Sequence, residues 1–264
     1  MDDQAREPGH LMLITPERVF YAGLLGRPRQ RCSGALYVYV AIKGGLQLAT
    51  SDGQESHGDL VVTLPNVRHT ITSDYRTVIC VTIEPESVRV GALESFARRL
   101  IGPESQFFAD RIRAAYAALG RRQYGDDLSN AEFDIMCFGE ALLRRELDPR
   151  VVRAIARIGK FSGEPVTAAD CAADAALSPS RFLHLFKEET GISFRSFRAW
   201  KRARHLLHFA NQDINLAHLA QDIGYPDSTH FSHSIRRFYG LKPRAIFSGS
   251  RDLAIYRSGD ATLS

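Results

Sequence analysis

Short apolar runs, some of them alternating with polar residues and broken by turn signals, recur over residues 11–85. Ala35–Ile42 reads ALYVYVAI, rich in aromatic and β-branched side chains. GGLQLATSDG follows and ends on a turn signal. Gly58–Thr72, GDLVVTLPNVRHTIT, places a strand on each side of a proline, and Thr77–Pro85, TVICVTIEP, supplies another. Such runs predict strands. Many short strands with closely spaced turns predict a small antiparallel barrel or sandwich.

The period then changes. ESVRVGALESFARRLIG, PESQFFADRIRAAYAALG and NAEFDIMCFGEALLRREL carry helical spacing, punctuated by Pro103 and by a polar run near 125–130. From Pro149 onward the pattern is almost entirely helical. The chain therefore divides into a strand-rich domain at 1–86, a helical linker at 87–147, a helical domain at 148–251 and a tail at 252–264. Helices at 87–147 suit either a packed linker or the pairing of two copies.

The helical domain repeats itself. VTAADCAADAALSPSRFLHLFKEETGIS (166–193) lies over INLAHLAQDIGYPDSTHFSHSIRRFYGLKP (214–243). Ala172 falls over Ala220, Phe182 over Phe231, His184 over His233, Lys187 over Arg236 and Gly191 over Gly240. Each copy reads helix, tight turn, helix, glycine stop. Thr167 with Asp170 predicts a capping box. Ser178 before Pro179 predicts an N-cap with proline at the first helical position. Gly191 and Gly240 suit the left-handed residue that ends a helix. The pattern is a helix-turn-helix, present twice, at about 166–191 and 214–240.

At about 100° per residue, Phe182, Leu185 and Phe186 share one side of the first unit's second helix. Phe231, Ile235 and Phe238 do the same in the second unit. The opposite sides carry Ser180, Leu183, His184 and Lys187 in one, and Thr229, Ser232, His233 and Arg236 in the other. Short polar groups, an imidazole and a cation can read base edges in a major groove. Ser180, Leu183, His184, Thr229, Ser232 and His233 are the candidate base-facing residues. Lys187 and Arg236 on those faces, with Arg181, His230 and Arg237 on the flanks, are candidate phosphate contacts. Ser193 and Lys242, beside the starts of two further helices, one after TGIS and one at LKPR, join them. Between the units, Ser193–Ala210 predicts one long amphipathic helix of about 27 Å. A rod of that length suits two recognition helices about one DNA turn apart.

Charge supports a polyanionic partner. Residues 149–251 hold sixteen Lys/Arg against eight Asp/Glu, a balance of +8, which leaves −4 elsewhere in a chain of net charge +4. The four cysteines, Cys32, Cys80, Cys137 and Cys171, show no CxxC spacing, and read as reduced thiols in a cytoplasmic protein. The opening residues lack a signal-peptide pattern, and no apolar run approaches the ~18 residues of a membrane span. His230 and His233, three apart, form a candidate metal pair. Across the repeat, however, His230 aligns with Arg181, a poor metal ligand, which favours a recognition helix.

These residues resemble the DNA-binding domain of AraC/XylS-type bacterial transcriptional regulators. The resemblance is carried by RARHLLHFA, LAHLAQDIGY, the spacing from Phe231 to Pro243, and LSPSRFLHLFKEETGIS in the first unit. It covers about a hundred residues. Serine, leucine and two histidines stand where relatives often place arginine, tryptophan or glutamine, so the preferred DNA sequence does not transfer. GDLVVTLPNVRHTI also resembles the second motif of a cupin barrel. The implied fold class is α+β: an N-terminal cupin-like antiparallel β-barrel with following helices, then an all-α domain of two helix-turn-helix units joined by a long helix. The implied function is regulation of transcription at promoter DNA, working with RNA polymerase, as an activator or otherwise. The implied N-terminal role is sensing a small-molecule effector or forming a homodimer.

A cupin-type metal enzyme with an accessory helical domain is the competing reading. The first cupin motif, with its paired histidines and glutamate, is missing. His57, His69 and Glu55 remain, fewer than the convergent donors a metal needs. No Walker loop, GxSxG elbow, Rossmann glycine pattern or HExxH is found. No cofactor, no catalytic residue and no membrane partner are expected.

Overall fold

The short runs of residues 11–85 become strands in the computed structural model, which describes residues 9–121, 128–161, 166–210, 212, 214–247 and 253–257. In chain order these are β1 (Leu11–Ile14), β2 (Arg18–Leu24), β3 (Leu36–Ala41), β4 (Leu46–Thr50), β5 (Glu55–Gly58), β6 (Leu60–Thr63), β7 (His69–Ser73) and β8 (Thr77–Ile83). They build two sheets. The larger runs β6-β3-β8-β2-β1 and ends on a later strand, β9 (Ala254–Arg257); the smaller is β5-β4-β7. All pairs are antiparallel except β1 with β9.

The period of two explains why β3 is buried throughout. Leu36, Val38 and Val40 face a core shared with the helices that follow. Tyr37, Tyr39 and Ala41 face a second core with Leu46, Leu48 and Ile71 of the smaller sheet. Successive side chains point to opposite faces, so a strand covered on both must be apolar at every position.

Three helices cover the outer face: α1 (Ala92–Leu100), α2 (Ser105–Gly120) and α3 (Asn130–Phe138). Part of the polar run expected to punctuate them, at 125–127, lies outside the described residues. Ser129 and Glu132 close a capping box at the start of α3, and Gly139, at φ +86°, ends it. Helical spacing predicts a continuation to residue 147. Instead the chain runs back along residues 87–89, with the Arg89 N–H donating to the Leu143 carbonyl at 2.8 Å and the Arg145 N–H to that of Ser87 at 3.2 Å. One buried ion pair ties α3 to the sheet: Arg18 Nε lies 2.8 Å from Asp134 Oδ1.

The C-terminal domain comprises α4 (Pro149–Gly159), α5 (Ala168–Asp174), α6 (Pro179–Thr190), α7 (Phe194–His205), α8 (Leu216–Asp222), α9 (Ser228–Tyr239) and α10 (Pro243–Phe247). It has two small cores. Phe182, Phe186, Phe194 and Phe197 centre one, and Leu206, Leu219, Ile223, Phe231 and Ile235 the other. The long helix expected over 193–210 is shorter. After His205 it tightens into a 3₁₀ turn, Leu206–Phe209. Its carbonyls there find other partners: His208 O accepts from Arg257 Nη2 at 2.6 Å. The combined rise of the two pieces is still about 26 Å. The segment expected as a tail contains β9, while residue 252 and residues 258–264 lie outside the described residues.

Candidate nucleic-acid interface and interdomain cavity

Local chemistry sets each helix-turn-helix unit. In the first, Thr167 and Asp170 form the predicted capping box at α5, and Ser178 accepts the Arg181 N–H at the start of α6. In the second, Asn215 caps α8, and Asp227 accepts the N–H groups of Thr229 and His230, both at 2.8 Å, at the start of α9. The turns require a left-handed residue, supplied by Ala176 at φ +53° and by Gly224 at φ +77°. Gly191 and Gly240 end α6 and α9 in the same conformation.

These caps fix two matching stripes. Ser180, Leu183, His184 and Lys187 are all exposed on α6. Thr229, His233 and Arg236 are exposed on α9, with Ser232 half-buried among them. Both sets follow i, i+3, i+4, i+7 spacing, so each lines one helical face. Leu183, 41% exposed, is an apolar side chain presented to solvent where a thymine methyl would suit it. Arg181, Arg237, Ser193 and Lys242 are also exposed. Ser193 Oγ is already the N-cap of α7, taking the Ser196 N–H at 3.3 Å. His230 is less free than its sequence position implies, because its Nδ1 lies 2.8 Å from Asp227 Oδ2. That contact holds the ring beside the N-cap and separates it from His233.

The residues considered for metal binding do not converge. His57 and Glu55 are exposed on β5, whereas His69 is buried on β7. His69 Nδ1 lies 3.1 Å from the Val67 carbonyl, which can only accept, so Nδ1 carries the proton. Nε2 then accepts from the Tyr39 hydroxyl at 3.0 Å. Burial pushes this imidazole down to about 4, against the opposing pull of the Val67 carbonyl. Among the described residues no three His, Cys, Asp or Glu side chains gather as a metal site would require.

The two domains meet through charge. Glu84, just past β8, is fully buried and accepts Trp200 Nε1 at 2.9 Å and Lys201 Nζ at 2.9 Å. Arg204 Nε lies 2.8 Å from the other carboxylate oxygen, and its Nη2 donates to the carbonyls of Thr15 and Arg18. Lys201 also pairs with Glu86. Burial raises both carboxyls; at Glu84 the Lys201 and Arg204 charges outweigh it and hold the group below its usual range, while Glu86 stays above.

Beside this cluster lies a cavity of about 340 Å³. Met12, Val19, Leu25, Tyr37, Tyr39 and Val78 wall it from the sheets, and Trp200, Leu207, Tyr239 and Ile246 from the helical domain. Arg31 lines it too. This residue is 7% exposed, and its Nε and Nη2 have no hydrogen-bond partner. Its backbone is locked to His69 by two hydrogen bonds of 2.9 Å. Its guanidinium packs on Gly240: a Cβ there would lie 3.2 Å from Arg31 Nε. The next residue, Cys32, donates its N–H to the Arg237 carbonyl of α9 at 2.7 Å.

Residues 171–248 match the family model described as a helix-turn-helix domain. The HTH-type transcriptional activator RhaS of Escherichia fergusonii is 31% identical over 163 residues, covering 57% of this chain and 58% of that protein. The arabinose operon regulatory protein of Escherichia coli K12 is 29% identical over 85 residues, covering 32% of this chain and 29% of that protein. The matches thus span less than two thirds of these curated relatives. At the level of fold, the similarity extends beyond residues 171–248. A ligand-free, singly substituted ToxT from Vibrio cholerae superposes with a TM-score of 0.54 at 14% identity, over 88% of this chain and 97% of that one. ToxT bound to (E)-4-(8-methylnaphthalen-1-yl)but-3-enoic acid gives 0.52 at 10% identity, over 86% and 97%. This supports the α+β architecture: N-terminal sheets followed by a helical domain.

Sequence reasoning missed Arg31 and the Glu84 cluster. A signal for the second is present. Trp200, Lys201 and Arg204 share a helical face with Phe197, so cations fall where the period demands core. Arg31 gives none, since it lies between strands in a basic stretch of ordinary loop composition.

Proposed function

We propose that this protein is a sequence-specific DNA-binding regulator of transcription, whose two recognition helices enter successive major grooves. The observation that carries this reading is the pair of matching stripes on α6 and α9, each anchored by its own apolar core. Ser180, Leu183, His184, Thr229, Ser232 and His233 face the bases; Arg181, Lys187, Ser193, His230, Arg236, Arg237 and Lys242 meet phosphate. The AraC-type relatives, a transcriptional activator among them, support the same assignment. Promoter DNA and RNA polymerase are its partners.

Selection of bound duplexes from random sequence, followed by anisotropy titration, tests this. The expected result is an enriched motif with two half-sites, bound more weakly by the Lys187→Ala/Arg236→Ala double variant. Failure to enrich any motif overturns the reading.

The N-terminal domain is the sensor, and the interdomain cavity is where an effector binds. Its volume falls within the ~300–1,000 Å³ usual for ligand pockets. Apolar walls with a buried guanidinium whose Nε and Nη2 lack hydrogen-bond partners suit an apolar body carrying an anionic head. The aromatic carboxylic acid bound to ToxT has that chemistry. The same acid and its primary amide serve as probes: the acid raises the melting temperature of this protein and the amide does not. Equal shifts, or none, remove the assignment. The 87–147 segment is the dimerisation element in this reading, with Phe107 and Ile135, 52% and 49% exposed, on the pairing face.

A further inference from the structure

Two short backbone pairings bracket the AraC-type domain. Before it, residues 143–145 lie along 87–89. After it, β9 follows α10 back to the larger sheet and pairs in parallel with β1, from Leu11 opposite Ala254 to Ile14 opposite Arg257. The domain is therefore tethered to the N-terminal domain at both ends.

We infer that β9 is a releasable strap that holds the AraC-type domain in place against the N-terminal domain. It grips three things at once. Its backbone holds the sheet, where the Ala254 N–H donates to the His10 carbonyl at 3.0 Å. Its leading side chain, Leu253, is buried with Met12, Ile14, Val19 and Ala210. Its last residue reaches back to the helical domain, with Arg257 Nη2 on the His208 carbonyl at 2.6 Å. The alternation in Leu253–Arg257 fits a strand laid between two cores. Ile255 packs on the Met12 cluster and Tyr256 on the sheet–helix core.

The same geometry makes the strap easy to open. It is four residues long, parallel and at a sheet edge, and Ala254 and Arg257 are exposed. Parallel pairing is the weaker kind, and short edge elements open well below the free energy of global unfolding. While β9 is paired, the 139–148 linker cannot act as a swivel, because the second tether closes the loop. Once β9 leaves, the linker pairing is the one backbone tether left at the domain's ends, and the helical domain can reorient whenever the Glu84 cluster and the Cys32–Arg237 contact open. Met12 and Leu253 both wall the interdomain cavity, so filling that cavity bears directly on the strap.

Only the DNA consequence of the strap rests on the proposed function; the strap itself does not. The test uses the full chain with Ala254→Pro, which removes the donor to His10 at an exposed position without loss of packing. Arg257→Ala, which releases His208, is the second variant should the first fail to fold. Hydrogen exchange at the β1 amides is expected to quicken at least about tenfold, with β2 and β8 unchanged. The radius of gyration from solution scattering is expected to rise. Affinity for the selected duplex is expected to increase about tenfold. Unchanged β1 exchange overturns the strap. Faster exchange with an unchanged radius shows that β9 does not restrain the domain, and overturns it equally. Separated domains with unaltered DNA affinity overturn its regulatory role. If no form of the protein binds DNA, the proposed function fails, while exchange and scattering still judge the strap.

Discussion

Trp200 donates its indole N–H to Glu84 at 2.9 Å, across the boundary between the helical domain and the sheets. Trp200 is the chain's single tryptophan, so its fluorescence reports that boundary alone. Glu84→Gln keeps the shape but leaves Lys201 and Arg204 facing a neutral group. Removing one member of a buried ionic cluster costs about 3 kcal/mol. The variant is expected to unfold at lower urea by about that amount, with a red-shifted emission before the main transition. A parent-like midpoint and emission would show that the cluster does not hold the domains together.

Arg31 presents the opposite case, a buried cation whose Nε and Nη2 lack partners. A buried unpaired polar group costs about 1–3 kcal/mol. Arg31→Met is therefore expected to raise the melting temperature of the free protein, while abolishing the shift produced by the carboxylic acid probe. This is the stability–function trade-off seen where a site is kept ready for a ligand. A variant that loses stability, or still responds to the acid, contradicts the assignment.

How much of this is legible in the sequence depends on whether a feature is local. The capping box at Thr167, the left-handed stops at Gly191 and Gly240 and the aromatic and β-branched run of β3 are written in neighbouring residues, and all can be read there. The helix expected through residue 147 does not form, because Gly139 ends it and the following backbone finds partners at 87–89. Glu84 and Trp200 are 116 residues apart. No periodicity connects them, so their pairing emerges only from the packed structure. The same holds for β9, whose partner β1 lies at the far end of the described chain.

Under the proposed function, the exposed stripes on α6 and α9 would separate base reading from phosphate binding. Arg236→Ala and Lys187→Ala are each expected to weaken binding to all duplexes alike and to reduce the salt slope by about 1. His233→Ala instead loses about 1–3 kcal/mol against the selected motif and little against others. Titrations at three salt concentrations with matched and mismatched duplexes distinguish these outcomes. A uniform loss for His233→Ala would move it from the base-facing set to the phosphate set.

Acid should weaken the fold in a defined window. Burial holds His69, His205 and His208 each down at about 4, from an ordinary value of 6.5. Between those values the unfolded chain binds more protons than the folded one, so stability falls as pH falls, and flattens below about 4. His69 alone contributes up to about 3 kcal/mol across that interval. Glu84, held below its usual range, adds its own loss only at lower pH, as the ordinary carboxylate range is crossed. Urea unfolding at pH 7.5, 6.0 and 5.0 measures the slope, and His69→Gln should lower it by about one proton. The Gln amide can still donate to the Val67 carbonyl, so the change isolates titration from hydrogen bonding. A slope identical in parent and variant would mean that His69 titrates normally in the folded protein.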